Sequence, residues 1–342
     1  MLYKISSTTR ITLIICIAEI FAMLGVFTFP ALLPVFSESW GLTGVQAGWI
    51  NGIYYAGYLV SVPVLVSLTD RLRPQQVYMF SIIILSISSF GFYMFTDGLW
   101  AATFFRALGG IGLAGTYMPG LKLLTDILDK DGKNQDNSRS IAFYTTSFGL
   151  GAALSYFAAG EIFIIWGWRA AFGATTIGPI ISGMLIFYLC KDWNNTTLVK
   201  PKTNLFDFRP VLRCRAAMGY VLAYTVHNFE LFAFRSWMVA FLVYSASTQD
   251  NQSLIFSATV WAAISNLVSL PFSILGNEFS RRVGRHRAIT IMMWVSAIMA
   301  AVLGFCAELP FLVVVTITLI YGILVTAESP SITAGLIKSA PS

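Results

Sequence analysis

Long apolar runs recur along this chain, separated by short polar stretches. About twenty apolar residues are needed to cross a bilayer as helix, and ten such segments can be placed. They cover 11–34, 45–68, 77–96, 99–124, 140–164, 168–190, 216–245, 254–276, 288–307 and 310–337. The polar stretches are not uniform in charge. The N-terminus, the loops after even-numbered spans and the C-terminal end together carry 19 of the Lys and Arg residues. The other side carries Arg169 alone, and Arg106 and Arg235 lie within spans. That bias predicts a cytoplasmic N-terminus by the positive-inside rule.

Composition narrows the class. Hydrophobic residues make up 56% of the chain, charged residues 11%, and mean hydropathy is +0.72. Soluble domains carry about 25% charged residues, so an all-α polytopic membrane protein is expected. The net charge of +6 is spread over alternate loops and gives no basic patch for nucleic acid. The four cysteines have no metal-ligand spacing and are read as packing residues. No phosphate-binding glycine loop, H-E-x-x-H or G-x-S-x-G element is present, so the sequence predicts no cofactor, no metal and no enzyme.

The longest polar interruption, 191–215, holds six basic residues with Pro201 and Pro210. It divides an expected six-helix N-terminal bundle, 1–190, from a four-helix partial bundle, 216–342. Spans one to four and seven to ten have similar lengths, as in transporters built from parallel six-helix repeats. The second copy therefore reads as incomplete, two helices short.

Ionisable residues inside the spans are the candidate chemistry, because a charge in hydrocarbon costs at least about 2.5–3.5 kcal/mol and faces a partner or a water-filled cavity. Six fall on spans one, four, seven and ten: Glu19, Arg106, His227, Glu230, Arg235 and Glu328. Glu19 lacks a basic neighbour at helical spacing. Isolated, it is expected to be protonated, since burial disfavours the charged form, with Arg106 a candidate partner. His227 and Glu230, three residues apart, share a helix face with Tyr220 and Tyr224. Pro330 predicts a kink beside Glu328, which the pseudo-repeat places opposite Arg106. Glu161, near an outer end, reads as snorkelling, and Arg235 beside Trp237 is either an interfacial anchor or a cavity residue. Gly109, Gly112, Gly115 and Pro119 form a small-residue stripe that allows close helix approach.

Several of these residues resemble motifs of the major facilitator superfamily. Arg106-Ala-Leu-Gly109-Gly110-Ile-Gly112-Leu-Ala-Gly115 is similar to its fourth-helix arginine–glycine motif. Asp70-Arg71-Leu72-Arg73 looks like a worn copy of its loop signature Gly-x-Leu-x-Asp-Arg-x-Gly-Arg, with Val66 and Arg73 at the glycine positions and Pro74 at the last arginine. The later loop keeps Arg282-Val283-Gly284-Arg285, with Arg281 where an acid belongs. Trp168-Arg169 also fits. The runs Gly115–Lys122, His227–Leu231 and Ala327–Ser329 resemble a bacterial subgroup sometimes labelled nitrate- or cyanate-like.

The resemblance implies a monomeric secondary transporter of a small solute in a bacterial inner membrane. It would be proton-coupled and work by alternating access. It also implies a role for Arg106 in proton coupling or substrate binding, and gating by the loop residues Asp70, Arg71, Arg282, Gly284 and Arg285. The competing expectation is a non-transporting receptor or an inactive fragment, favoured by the worn loop motif.

Overall fold

The computed structural model describes residues 7–130, 138–191, 209–249 and 255–339. Among these every regular element is helical, and the chain divides into two compact units, Met1–Leu205 and Phe206–Ser342. Most of the expected linker, 192–208, lies outside the described residues; its last part forms a short helix, Arg209–Arg213.

In the first unit the helices are α1 (Ser7–Ala22), α2 (Thr28–Ala31), α3 (Leu33–Ser39), α4 (Gly44–Leu68), α5 (Pro74–Phe95), α6 (Leu99–Ala114), α7 (Tyr117–Lys130) and α8 (Ser138–Leu189). The starts follow local chemistry. Thr43 caps α4 by accepting the Gln46 N–H at 3.3 Å, while the Gln46 side chain accepts the Thr43 N–H at 2.9 Å. This is a reciprocal capping box. Pro74 opens α5, where its missing N–H costs nothing. Helix α8 holds two spans, joined where Gly167 takes φ 80°, a conformation open to glycine.

Two spans read as continuous are interrupted. The first helix stops at Ala22, and residues 23–27 turn before α2 and α3. The fourth breaks at Gly115–Thr116, and Pro119 lies in the first turn of α7. A uniformly apolar run hides such breaks, because hydropathy records burial and not backbone continuity.

The second unit contains α9 (Arg209–Arg213), α10 (Arg215–Ser247), α11 (Ile255–Val283), α12 (Arg285–Phe305), α13 (Phe311–Ala327) and α14 (Ser329–Ser339). The kink expected from Pro330 is present: Glu328 sits between α13 and α14. The expected loop after the eighth span contracts to one residue. Arg282 occupies the last turn of α11, Gly284 makes the turn at φ 99°, and Arg285 opens α12. Glu278, one turn back, pairs with Arg282 at 3.1 Å and Arg281 at 3.4 Å. The acid missing at position 281 is thus supplied within the same helix. Asp70 and Arg71 lie in a turn between α4 and α5.

Packing is inverted relative to a soluble protein. Leu59, Val60, Ile83, Ile177, Ile274, Trp294 and Phe305 are all exposed, whereas Glu19, His227 and Glu328 are fully buried. Large apolar side chains facing outward all round the units suit lipid, where no hydrophobic force drives helices together and close fit must do so. The glycine stripe supplies that fit. A Cβ on Gly110 would collide with the Tyr54 carbonyl of α4, and one on Gly57 would lie 2.5 Å from the Ala107 carbonyl. Gly109, Gly112 and Gly115 face Ser88, Leu85 and Ser81 of α5.

Candidate functional site

In the first unit the ionisable residues gather around the broken first helix. A break leaves backbone groups unpaired, and within a membrane these are satisfied by protein or by cavity water. Here the Val26 carbonyl accepts from Arg106 Nη1 at 3.1 Å, and the Phe27 N–H donates to Ser155 Oγ at 3.0 Å. The Arg106 guanidinium lies 4.0 Å from the Tyr54 ring centroid and 5.4 Å from that of Phe29. Both distances fall within cation–π range.

Glu19, about two turns before Val26, is 0% exposed. Its Oε2 lies 3.1 Å from Tyr144 Oη, which in turn lies 2.8 Å from the Tyr117 carbonyl oxygen. A phenol has one proton to donate. When Tyr144 gives it to the Tyr117 carbonyl, the Glu19 contact is a hydrogen bond only if the acid is protonated and donates. When Glu19 is ionised, Tyr144 must turn its proton to the carboxylate and release the carbonyl. Gly120 makes room for this arrangement, since a Cβ there would strike the Tyr144 hydroxyl. Glu19 and Arg106, paired in expectation, are not joined by an ion pair among the described residues; each has its own neutral partner.

The second unit is built differently. His227 on α10 and Glu328 at the α13–α14 junction are each 0% exposed, with Nδ1 and Oε1 2.7 Å apart. The Glu328 carbonyl accepts the N–H groups of Ser331 and Ile332 at 3.1 and 3.2 Å, so the break itself fixes the position of the acid. Tyr224 lies beside His227, with ring centroids 5.8 Å apart. Glu230, one turn along α10, accepts from Ser296 Oγ at 3.2 Å and hydrogen-bonds the Tyr321 side chain. Arg235 is buried further along α10.

Three of the six candidates, His227, Glu230 and Glu328, therefore share one neighbourhood, while Glu19 and Arg106 keep separate partners. Among the described residues no group of histidine, cysteine and carboxylate side chains is arranged to hold a metal. Glu161 is half-buried. Arg169 donates to the carbonyls of Tyr93 and Thr96 at 2.9 and 3.3 Å, tying α8 to the end of α5.

Sequence reasoning missed Tyr144, Tyr117, Ser155, Ser296 and Tyr321. Tyrosines and serines are common on apolar helices, and nothing in their spacing marks those that meet a distant carboxyl. Gly120, next to Pro119, was the nearest available signal for Tyr144.

Helices apolar on their outer faces, with carboxyl, imidazole and guanidinium groups turned inward, define a multi-pass membrane protein. The Major Facilitator Superfamily family model matches residues 15–342. The chain belongs to that superfamily, a family of transporters and not of enzymes.

Among curated relatives, it is 22% identical to protein spinster homolog 1 of Homo sapiens over 299 residues, covering 81% of this chain and 55% of that protein. The Bos taurus protein of the same name is also 22% identical, over 298 residues. The chain thus spans about half the length of the curated relatives it matches.

Among solved structures, it is similar to a bacterial homolog of the human lysosomal transporter Spinster in an inward-facing, unoccupied conformation. The TM-score is 0.73 at 13% identity, covering 97% of this chain and 79% of that one. It is also similar to the nucleoside transporter NupG (TM-score 0.72, 15% identity, 97% and 84% covered) and to the xylose transporter XylE from E. coli (0.66, 15%, 97% and 84%). At these identities the likeness establishes the fold.

Proposed function

We propose that this protein is a secondary transporter of a small solute in a bacterial inner membrane. It works as a monomer by alternating access, is driven by protons, and has its N-terminus in the cytoplasm. The observation that carries the reading is the fully buried His227–Glu328 contact at 2.7 Å, with Glu230 a turn away. Ionisable groups buried within a membrane bundle mark proton or substrate pathways, and a histidine and two carboxyls lie together here. Glu19 supplies a second proton site, because its bond to Tyr144 changes direction with its protonation. When solute binding and the proton occupancy of such groups depend on one another, a proton gradient drives uptake.

The competing reading, a receptor that does not transport, is favoured by the worn Asp70-Arg71 loop. The second copy of that loop speaks against it, because Glu278 restores an acid beside Arg282. The two are separated by measuring proton movement with a pH dye in vesicles containing the protein. The added solutes would be pentoses, nucleosides and small carboxylic acids. A transporter gives solute-stimulated proton movement that Glu19→Gln abolishes. Accumulation unchanged in Glu19→Gln removes that residue from coupling, and no response to any solute favours the receptor.

A further inference from the structure

We propose that the first unit holds a binding site for a small, weakly hydrated inorganic anion of chloride size, built on Arg106. An arginine is charged at every physiological pH. This one is 3% exposed, and no carboxylate among the described residues lies against it. Its titratable neighbours are Tyr54, Tyr55 and Tyr156, which carry no charge near neutrality. Nη1 is engaged by the Val26 carbonyl, but Nε and Nη2 are buried with no hydrogen-bond partner among the described residues. The Tyr54 hydroxyl, in a side chain only 2% exposed, is in the same condition. The Tyr54 and Phe29 rings and the Val26 carbonyl offset part of the buried charge, but a buried donor without an acceptor is costly, and these three positions present donors only or, for Tyr54, a donor free to turn.

Arg106 and Tyr54 line one small cavity with Ala22, Gly25, Gly109, Ser88 and Ser89, closed by apolar residues including Phe92 and Phe172. Arg106 is the only charged residue in that lining. The space depends on glycine: a Cβ on Gly109 would lie 2.8 Å from Ser88 Oγ and 2.9 Å from the Tyr54 ring, and one on Gly25 would lie 3.1 Å from Ser89 Oγ. Positive donors in an apolar, restricted wall select an anion that gives up its water readily. They disfavour sulfate or phosphate, which are larger and hold water tightly. The site closes within the first unit and does not depend on which solute is transported.

The test is the thermal stability of the detergent-purified full chain in sodium chloride against sodium gluconate at fixed ionic strength, with bromide and nitrate as further probes. A saturable rise in Tm of roughly 2–4 °C is expected for chloride. It should be lost in Arg106→Gln and reduced in Gly109→Ala, which fills the cavity. Tyr54→Phe, which keeps the ring and removes one donor, should also reduce it, and this variant decides the matter if Arg106→Gln does not fold. Equal Tm in chloride and gluconate for the unmodified protein overturns the proposal. So does an anion effect that persists at full size in Arg106→Gln or in both of the other variants.

Discussion

The two units bury charge by opposite means. In the first, a helix break presents a carbonyl, Val26, and the cation Arg106 comes to it, while the acid Glu19 is held elsewhere by a phenol. In the second, the break carries the acid itself, and His227 on a neighbouring helix meets Glu328 directly. One unit keeps acid and base apart with neutral partners, and the other joins them. A separated charge depends on local dipoles and space, whereas a joined pair depends on both members being present. The same physical problem, a polar group in an apolar bundle, is therefore expected to respond differently to substitution in each unit.

The largest effect is expected from breaking the joined pair. His227→Leu or Glu328→Leu alone strands the other member and should cost about 3–5 kcal/mol. The double substitution should cost less than the sum, and equal additive losses in a denaturation cycle would show that the two side chains do not support one another. Next comes Gly110→Ala, whose Cβ would strike the Tyr54 carbonyl, a backbone atom that cannot rotate away. A loss of about 1–3 kcal/mol is expected. Gly52→Ala in α4, with nothing within 4 Å of its Cβ, should be neutral or stabilising; equal losses at both positions would remove the close-approach argument.

In the separated unit, Ser155→Ala removes the hydroxyl that accepts the Phe27 N–H at the break and should cost about 1–3 kcal/mol. Full stability in that variant would show that the break does not need Ser155. The smallest effect is expected from Tyr144→Phe, which removes one hydroxyl and should cost about 1 kcal/mol. It should nonetheless change the pH dependence of any Glu19-linked signal, and an unaltered pH profile would sever Tyr144 from Glu19.

Much of this fold is legible from apolar runs alone, because a membrane demands long helices whatever their detailed sequence. Each of the ten apolar segments falls largely on helix. The breaks were legible only where proline marked one, as at Pro330. The break after Ala22 has no local marker stronger than Gly25, and tertiary partners, Arg106 and Ser155, hold it. The buried ionisable residues stood out because each is costly in hydrocarbon. Their partners did not, since the pairing of Tyr144 with Glu19 spans 125 residues and that of Glu328 with His227 spans 101. The expected Glu19–Arg106 pair failed for a related reason: a sequence shows opposite charges but not the carbonyl and phenol that can serve them better.

The central claim is that carboxyls in both units exchange protons while buried. The most direct measurement is the pH-difference infrared spectrum of the reconstituted protein in the carboxylic-acid region. The account predicts an acid carbonyl band that is lost as pH rises, weakened in Glu19→Gln and again in Glu230→Gln. A band that does not titrate, or one that both variants leave intact, would contradict it.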